Sequence, residues 1–160
     1  MKNIIFWSLL FLSSVQCQSQ TISKMSDFIP EVVKEESQWL DELGSEKFRI
    51  LREKGTEYPH TGKYNKHFKE GTYSCSGCGA ELFKSSSKFD AHCGWPSFDK
   101  EVKEGAITEI RDISGGMVRT EILCTKCGGH LGHVFVDGPT ETNLRYCVNS
   151  LSLSFDSIDE

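Results

Sequence analysis

Two short stretches, Cys75-Ser-Gly-Cys78-Gly79 and Cys124-Thr-Lys-Cys127-Gly128, constrain this chain more than any other part of it. Each pair has two residues between its cysteines and a glycine just after the second. A glycine there can take positive φ, so the backbone curls back and aims N–H groups at the sulfur. Together the pairs supply four thiolates, the donor set of a closed tetrahedral zinc site. Cys75, Cys78, Cys124 and Cys127 are therefore the expected ligands of one structural Zn2+. The pairs lie far apart in the chain, so such a clip joins distant segments and does not make a minimal finger. The competing arrangement is two local disulfides, favoured in an oxidising compartment. Each would close a tiny loop and constrain little.

The clip implies strands around it. Gly71 to Phe83 reads as strand, knuckle, strand. Val118 to Leu123 is a short strand leading into the second knuckle. Ile107 to Ile113 and Leu144 to Val148 read as further strands, and Leu151 to Phe155 alternates apolar and polar residues as a half-buried strand does. No helical period follows Gly71, and 14 glycines mark many turns. The expected class is mainly antiparallel β, curved or barrel-like. Ahead of it, Pro30 is suited to open a helix. Val32, Val33, Trp39, Leu40 and Leu43 follow a helical period up to Gly44, and Phe48, Ile50 and Leu51 make a second short helix ending before Gly55. His60 and His67 sit alone and read as surface or structural residues.

The first residues have another character. Met1-Lys2-Asn3 is a basic start, Ile4 to Leu12 an apolar run, and Cys17 follows shortly. The run is too short for a bilayer span, which needs about 20 residues, and fits the core of an export signal. The expected organisation is a signal segment over 1–17, a polar linker over 18–29 and one domain over 30–158. The product would be periplasmic, or lipid-anchored if Cys17 is acylated. Ser-Val-Gln before Cys17 departs from the small residue usual before a lipidated cysteine. Membrane attachment is expected only through that cysteine. The net charge of −5 argues against a nucleic-acid partner, and a monomer is expected.

Seven cysteines, less four for zinc and Cys17, leave Cys93 and Cys147. Cys147 follows Arg145, whose charge favours thiolate. Upstream, His130, His133 and Asp137 offer a proton donor and a group to orient it. Cys93 precedes Gly94 and Trp95, and an indole in a glycine–proline loop makes a flat apolar wall. A thiolate with a second thiol in reach is the minimum for reversible oxygen-atom chemistry: sulfenic acid, then disulfide. The same two cysteines also suit buried small hydrophobes or a static disulfide. His130 and His133 also suit structural roles or a further metal site, and Trp95 a core position.

Taken in order, the motifs resemble the peptide-methionine (R)-S-oxide reductases, the B-type methionine sulfoxide reductase family. The matching residues are Gly55-Thr-Glu57, Tyr73-x-Cys-x-x-Cys-Gly79, Leu82-Phe83, Lys88-Phe-Asp90, Cys93-Gly-Trp-Pro-Ser-Phe98, Cys124-x-x-Cys127, His130-Leu-Gly-His-Val-Phe135, Asp137-Gly-Pro139 and Arg145-Tyr-Cys-Val-Asn-Ser150. They span roughly residues 31 to 156, and the leader lies outside them. The resemblance implies a β-tent of two antiparallel sheets with a four-cysteine zinc clip. It implies Cys147 as nucleophile, Cys93 as resolving cysteine and a Cys93–Cys147 disulfide. It implies Trp95 as the wall for the substrate methyl and His130, His133 or Asp137 as proton source. Arg145 and Asn149 are implied to order the site, and thioredoxin or a periplasmic equivalent to restore it. The substrate class it implies is methionine-R-sulfoxide, free or in oxidised proteins. Ala91-His92 stands where Ser-Gly is common in the family. A zinc-knuckle binding module of the same β-tent, without catalysis, is the alternative from another class, and it would need neither Cys147 nor Trp95.

Overall fold

The computed structural model describes residues 28–158. The expected signal segment over 1–17, with Cys17, and most of the linker lie outside the described residues.

Helix α1, Glu36–Leu51, opens with a reciprocal cap: the Glu35 side chain takes the Gln38 backbone N–H, and the Gln38 side chain takes that of Glu35. Pro30 therefore does not open the helix. The chain from Pro30 to Glu35 stays extended because Val32 N–H donates to Lys126 O at 2.8 Å, tying this strap to the second knuckle. Gly44 breaks the helix as expected, at φ +69° and ψ 164°, and divides it into two segments. Trp39, Ile50 and Leu51 are its buried face.

Among the described residues, nine strands form two antiparallel sheets. Strands β1 (Gly71–Cys75), β2 (Glu81–Lys84) and β9 (Leu153–Ser157) form the smaller, in the order β2-β1-β9. The larger contains β3 (Lys88–Phe89), β4 (Ser97–Phe98), β5 (Ile107–Asp112), β6 (Arg119–Cys124), β7 (His130–Phe135) and β8 (Arg145–Val148), ordered β3-β4-β8-β7-β6-β5. Aromatic side chains fill the space between them. Phe83 of the small sheet stacks on Phe98 of the large one at 4.2 Å, and Tyr73 meets Phe98 edge-on at 5.1 Å. This is the mainly β, two-sheet architecture expected from the motifs.

The two knuckles share one backbone pattern. Cys75 N–H donates to Ala80 O and Gly79 N–H to Cys75 O; Cys124 N–H donates to Gly129 O and Gly128 N–H to Cys124 O, all at 2.8–2.9 Å. Gly79 and Gly128 take φ +73° and +72°, which is why each cysteine pair is followed by glycine.

Two departures matter for the site. The last strand starts at Leu153, two residues later than its alternation indicates, because Ser150–Ser152 forms a 3-10 turn. The buried Glu57 carboxylate holds that turn, accepting Ser150 N–H at 2.6 Å and Leu151 N–H at 3.2 Å. The Cys93–Phe98 loop also ends in a strand: Ser97 and Phe98 pair with Cys147 and Tyr146. That pairing brings the two non-clip cysteines together.

Candidate active site and metal centre

The four knuckle sulfurs form one cluster, all within 4.8 Å of one another. Cys75 and Cys127 sulfurs lie 3.7 Å apart, and Cys78 and Cys124 sulfurs 3.6 Å. A tetrahedral ion with metal–sulfur bonds of about 2.3 Å needs sulfur separations of about 3.8 Å. Donor set and spacing therefore fit one metal ion, and four protein ligands leave no position for substrate.

The other site is built on one face of the large sheet. Cross-strand register aligns Ser97 with Cys147, Cys147 with His133, and His133 with Glu121. Aligned residues point to the same face. Next to this row, Arg145 aligns with Phe135, and Asp112 with Arg119. A pocket of about 130 Å³ opens here, lined by Cys147, Trp95, Phe135, His130, His133 and Asn149 among others. Gly132 is required for it. At φ +155°, a β-carbon there would come 2.0 Å from the Cys147 carbonyl oxygen, so only glycine lets β7 and β8 approach this closely.

The Cys93 and Cys147 sulfurs are 3.9 Å apart, both as free thiols. They share a proton. Accepting the Cys147 thiol hydrogen bond holds Cys93 at about 5 despite burial, with Ser97 assisting. That same bond, and burial after it, push Cys147 up, while Arg145 opposes the rise by charge and by hydrogen bond. Arg145 favours negative charge on either sulfur. The pair titrates as a unit, and Cys147 is the member that lines the pocket.

The surrounding side chains are each held. Trp95 Nε1 donates to Glu57 O at 3.1 Å, and Gly94 packs on Pro59 so closely that a β-carbon would meet it at 2.7 Å. Asn149 accepts Glu57 N–H at 3.1 Å and donates to Leu131 O at 3.1 Å, fixing the 55–60 arm to β7. Arg145 lies over the Phe135 ring at 4.4 Å and grips both Asp137 oxygens at 2.8 Å. Asp137 is thus brought to Arg145 and not to a histidine.

The histidines have other carboxylates, which sequence reasoning missed. His130 Nδ1 lies 2.7 Å from Glu121 Oε1, and Lys54 caps the other oxygen at 2.7 Å. Burial opposes ionisation of Glu121, yet the bonds from His130 and Lys54 hold it below the usual carboxylate range. His133 Nε2 lies 2.8 Å from Asp112 Oδ2. Burial lowers His133, while the Asp112 bond raises it. Arg119, which pairs with Asp112 at 2.7 Å, also lines the pocket, and its Nε is buried without a partner among the described residues. His92, exposed beside Cys93, holds φ +54°, the region glycine favours. His67 is structural, bonded to Tyr73 at 2.8 Å, and His60 is exposed.

Residues 43–157 match the SelR domain family. The chain is 53% identical to the peptide methionine sulfoxide reductase MsrB of Agrobacterium fabrum over 135 residues, covering 84% of this chain and all of the relative. It is 53% identical to the protein so named in Bradyrhizobium diazoefficiens, over 79% of this chain and 91% of the relative. With the one from Teredinibacter turnerae it shares 57% identity over 78% and 92% of the two chains.

Proposed function

The chain belongs to the SelR domain family, the MsrB peptide methionine sulfoxide reductases, and from that premise we propose that it reduces the R epimer of methionine sulfoxide through Cys147 and Cys93. The 3.9 Å separation of the two sulfurs, with Cys147 lining a pocket beside an indole, carries the reading. The substrate methyl packs on Trp95 and its sulfur faces Cys147. Which epimer presents its oxygen to the histidines then follows from which side the methyl occupies.

A sulfoxide is a poor electrophile until its oxygen takes a proton. The Cys147 thiolate attacks sulfur while His133 or His130 protonates the oxygen; the hydroxyl then passes to the Cys147 sulfur as the transient Cys147–substrate bond and the original S–O bond break. One sulfoxide and one thiol become one thioether and one sulfenic acid. The Cys93 thiol then attacks the Cys147 sulfenic sulfur, releasing water and leaving a disulfide. A dithiol of the thioredoxin type restores both thiols. Arg145, anchored by Asp137, favours the Cys147 thiolate, and Asn149 holds the pocket wall.

The four knuckle cysteines would hold one Zn2+ as a structural ion, the closed four-thiolate set of Cys-x-x-Cys knuckles being a common structural zinc arrangement. A non-catalytic module is set aside by the family. An exported setting, periplasmic or lipid-anchored through Cys17, fits the basic start and apolar run of the first residues. The reductant is then a thioredoxin-like protein of that compartment.

The test is reduction of a dabsylated methionine-R-sulfoxide. Cys147→Ser is expected to abolish product with dithiothreitol or thioredoxin. Cys93→Ser should release one equivalent of methionine and then stall with thioredoxin. Turnover surviving in Cys147→Ser contradicts the assignment; normal thioredoxin cycling in Cys93→Ser assigns the resolving step to another thiol.

A further inference from the structure

Asp112 and Arg119 have no part in the chemistry above, yet they hold the histidine that pairs across the sheet with the nucleophile. Asp112 ends β5, the edge strand of the large sheet. Its Oδ1 accepts Ser114 N–H at 2.8 Å. Its Oδ2 accepts from Arg119 Nη2 at 2.7 Å and lies 2.8 Å from His133 Nε2. With Nε2 engaged, Nδ1 is the ring nitrogen left to serve the pocket. His133 is also the direct cross-strand partner of Cys147, which puts their β-carbons about 5 Å apart. His130 lies outside the pairing of β7 with β8, which runs from Gly132 to Phe135.

We infer that Asp112 is a positioning residue for sulfoxide reduction: it ties down His133 Nε2, leaves Nδ1–H to protonate the sulfoxide oxygen, and stabilises the imidazolium that does so. Arg119, on the same carboxylate oxygen, tempers that stabilisation so that the ring still releases its proton. This deepens the Cys147 reading and rests on it. Nothing in the chain's motifs points to Asp112, since Asp137 is the carboxylate near the histidines in sequence.

The charged and titratable groups facing His133 are Asp112 from β5, Arg119 and Glu121 from β6, His130 on its own strand, and Cys147 and Arg145 from β8. Burial lowers His133, Arg119 and His130 add to this, and Asp112 works against it. The donor exists only while the ring is protonated, so rate falls as pH rises through the His133 pKa. Removing the Asp112 charge moves that fall to lower pH. Removing the Arg119 charge moves it to higher pH. Damage to the fold would not produce opposite shifts from two halves of one ion pair.

The experiment is single-turnover release of methionine from an R-sulfoxide peptide, measured across the range in which histidine titrates. The falling limb should move down by about one pH unit in Asp112→Asn and up by about half a unit in Arg119→Gln. His133→Gln should lack the limb, and adding Asp112→Asn to it should slow it no further. Unchanged midpoints, shifts of the same sign, or a limb that survives in His133→Gln overturn the inference. A Cys147→Ser control separates the two readings. If it still releases methionine, the Cys147 chemistry fails; if it does not, a failure in the Asp112 series belongs to Asp112 alone.

Discussion

The two sulfur sites of this protein are nearly alike in spacing and unlike in make-up. In the clip, neighbouring sulfurs sit 3.6 and 3.7 Å apart; in the pocket, 3.9 Å. What differs is number and access. The clip packs four thiols in a closed cluster between two knuckles, three of them buried and Cys78 partly so, so every sulfur is within reach of one ion. The pocket has two partly buried thiols, a cation at Arg145, and an opening beside Trp95. Four enclosed donors make a ligand set. Two thiols beside a pocket are the set that the proposed redox exchange requires. Distance alone does not assign either.

The largest expected effect of breaking this contrast is on stability. Cys75→Ser leaves three ligands and should cost on the order of 5 kcal/mol, most of what a domain this size possesses. Cys147→Ser should stay within about 1 kcal/mol of wild type while losing all activity. Urea unfolding of the two variants side by side checks the split. Equal losses of stability would mean that the sites are not separate.

The two knuckles were legible in the sequence because their signals are local; the pairing of Cys93 with Cys147 came only from the family resemblance, since it is β4 pairing with β8 that joins them. A Cys-x-x-Cys-Gly knuckle states its own backbone geometry. The strands expected around it fell within a residue or two of their observed bounds, because alternation and turn residues are short-range, while β3, β4 and β7 were not among them. What was not legible depends on register or on distant contacts. Asp112 and Glu121 reach His133 and His130 through pairing among β5, β6 and β7, which includes an irregularity between Ile122 and Leu123. Proximity in sequence pointed instead to Asp137, which the fold gives to Arg145. The late start of β9 comes from Glu57, nearly a hundred residues upstream. Pro30 has the right chemistry for a helix start, but the Val32–Lys126 bond keeps that stretch extended.

A smaller effect sharpens the comparison on the redox side. With Cys93 held at about 5, the pocket pair should carry a thiolate, and alkylate rapidly, well below the pH where an ordinary thiol does. Arg145 contributes through its charge on both sulfurs. Arg145→Gln should therefore move the alkylation midpoint up by roughly one unit. The four knuckle cysteines, once they hold the proposed ion, should be unreactive throughout. An unmoved midpoint would leave the proton shared between the sulfurs as the whole cause.

The most direct measurement is native mass spectrometry with disulfide mapping after the reduced protein has consumed methionine-R-sulfoxide without added reductant. The expected product keeps its zinc, is two hydrogens lighter, and carries a single new disulfide between Cys93 and Cys147. Release of the metal, or a disulfide that includes Cys75, Cys78, Cys124 or Cys127, would contradict the separation of a gripping site from a reacting one.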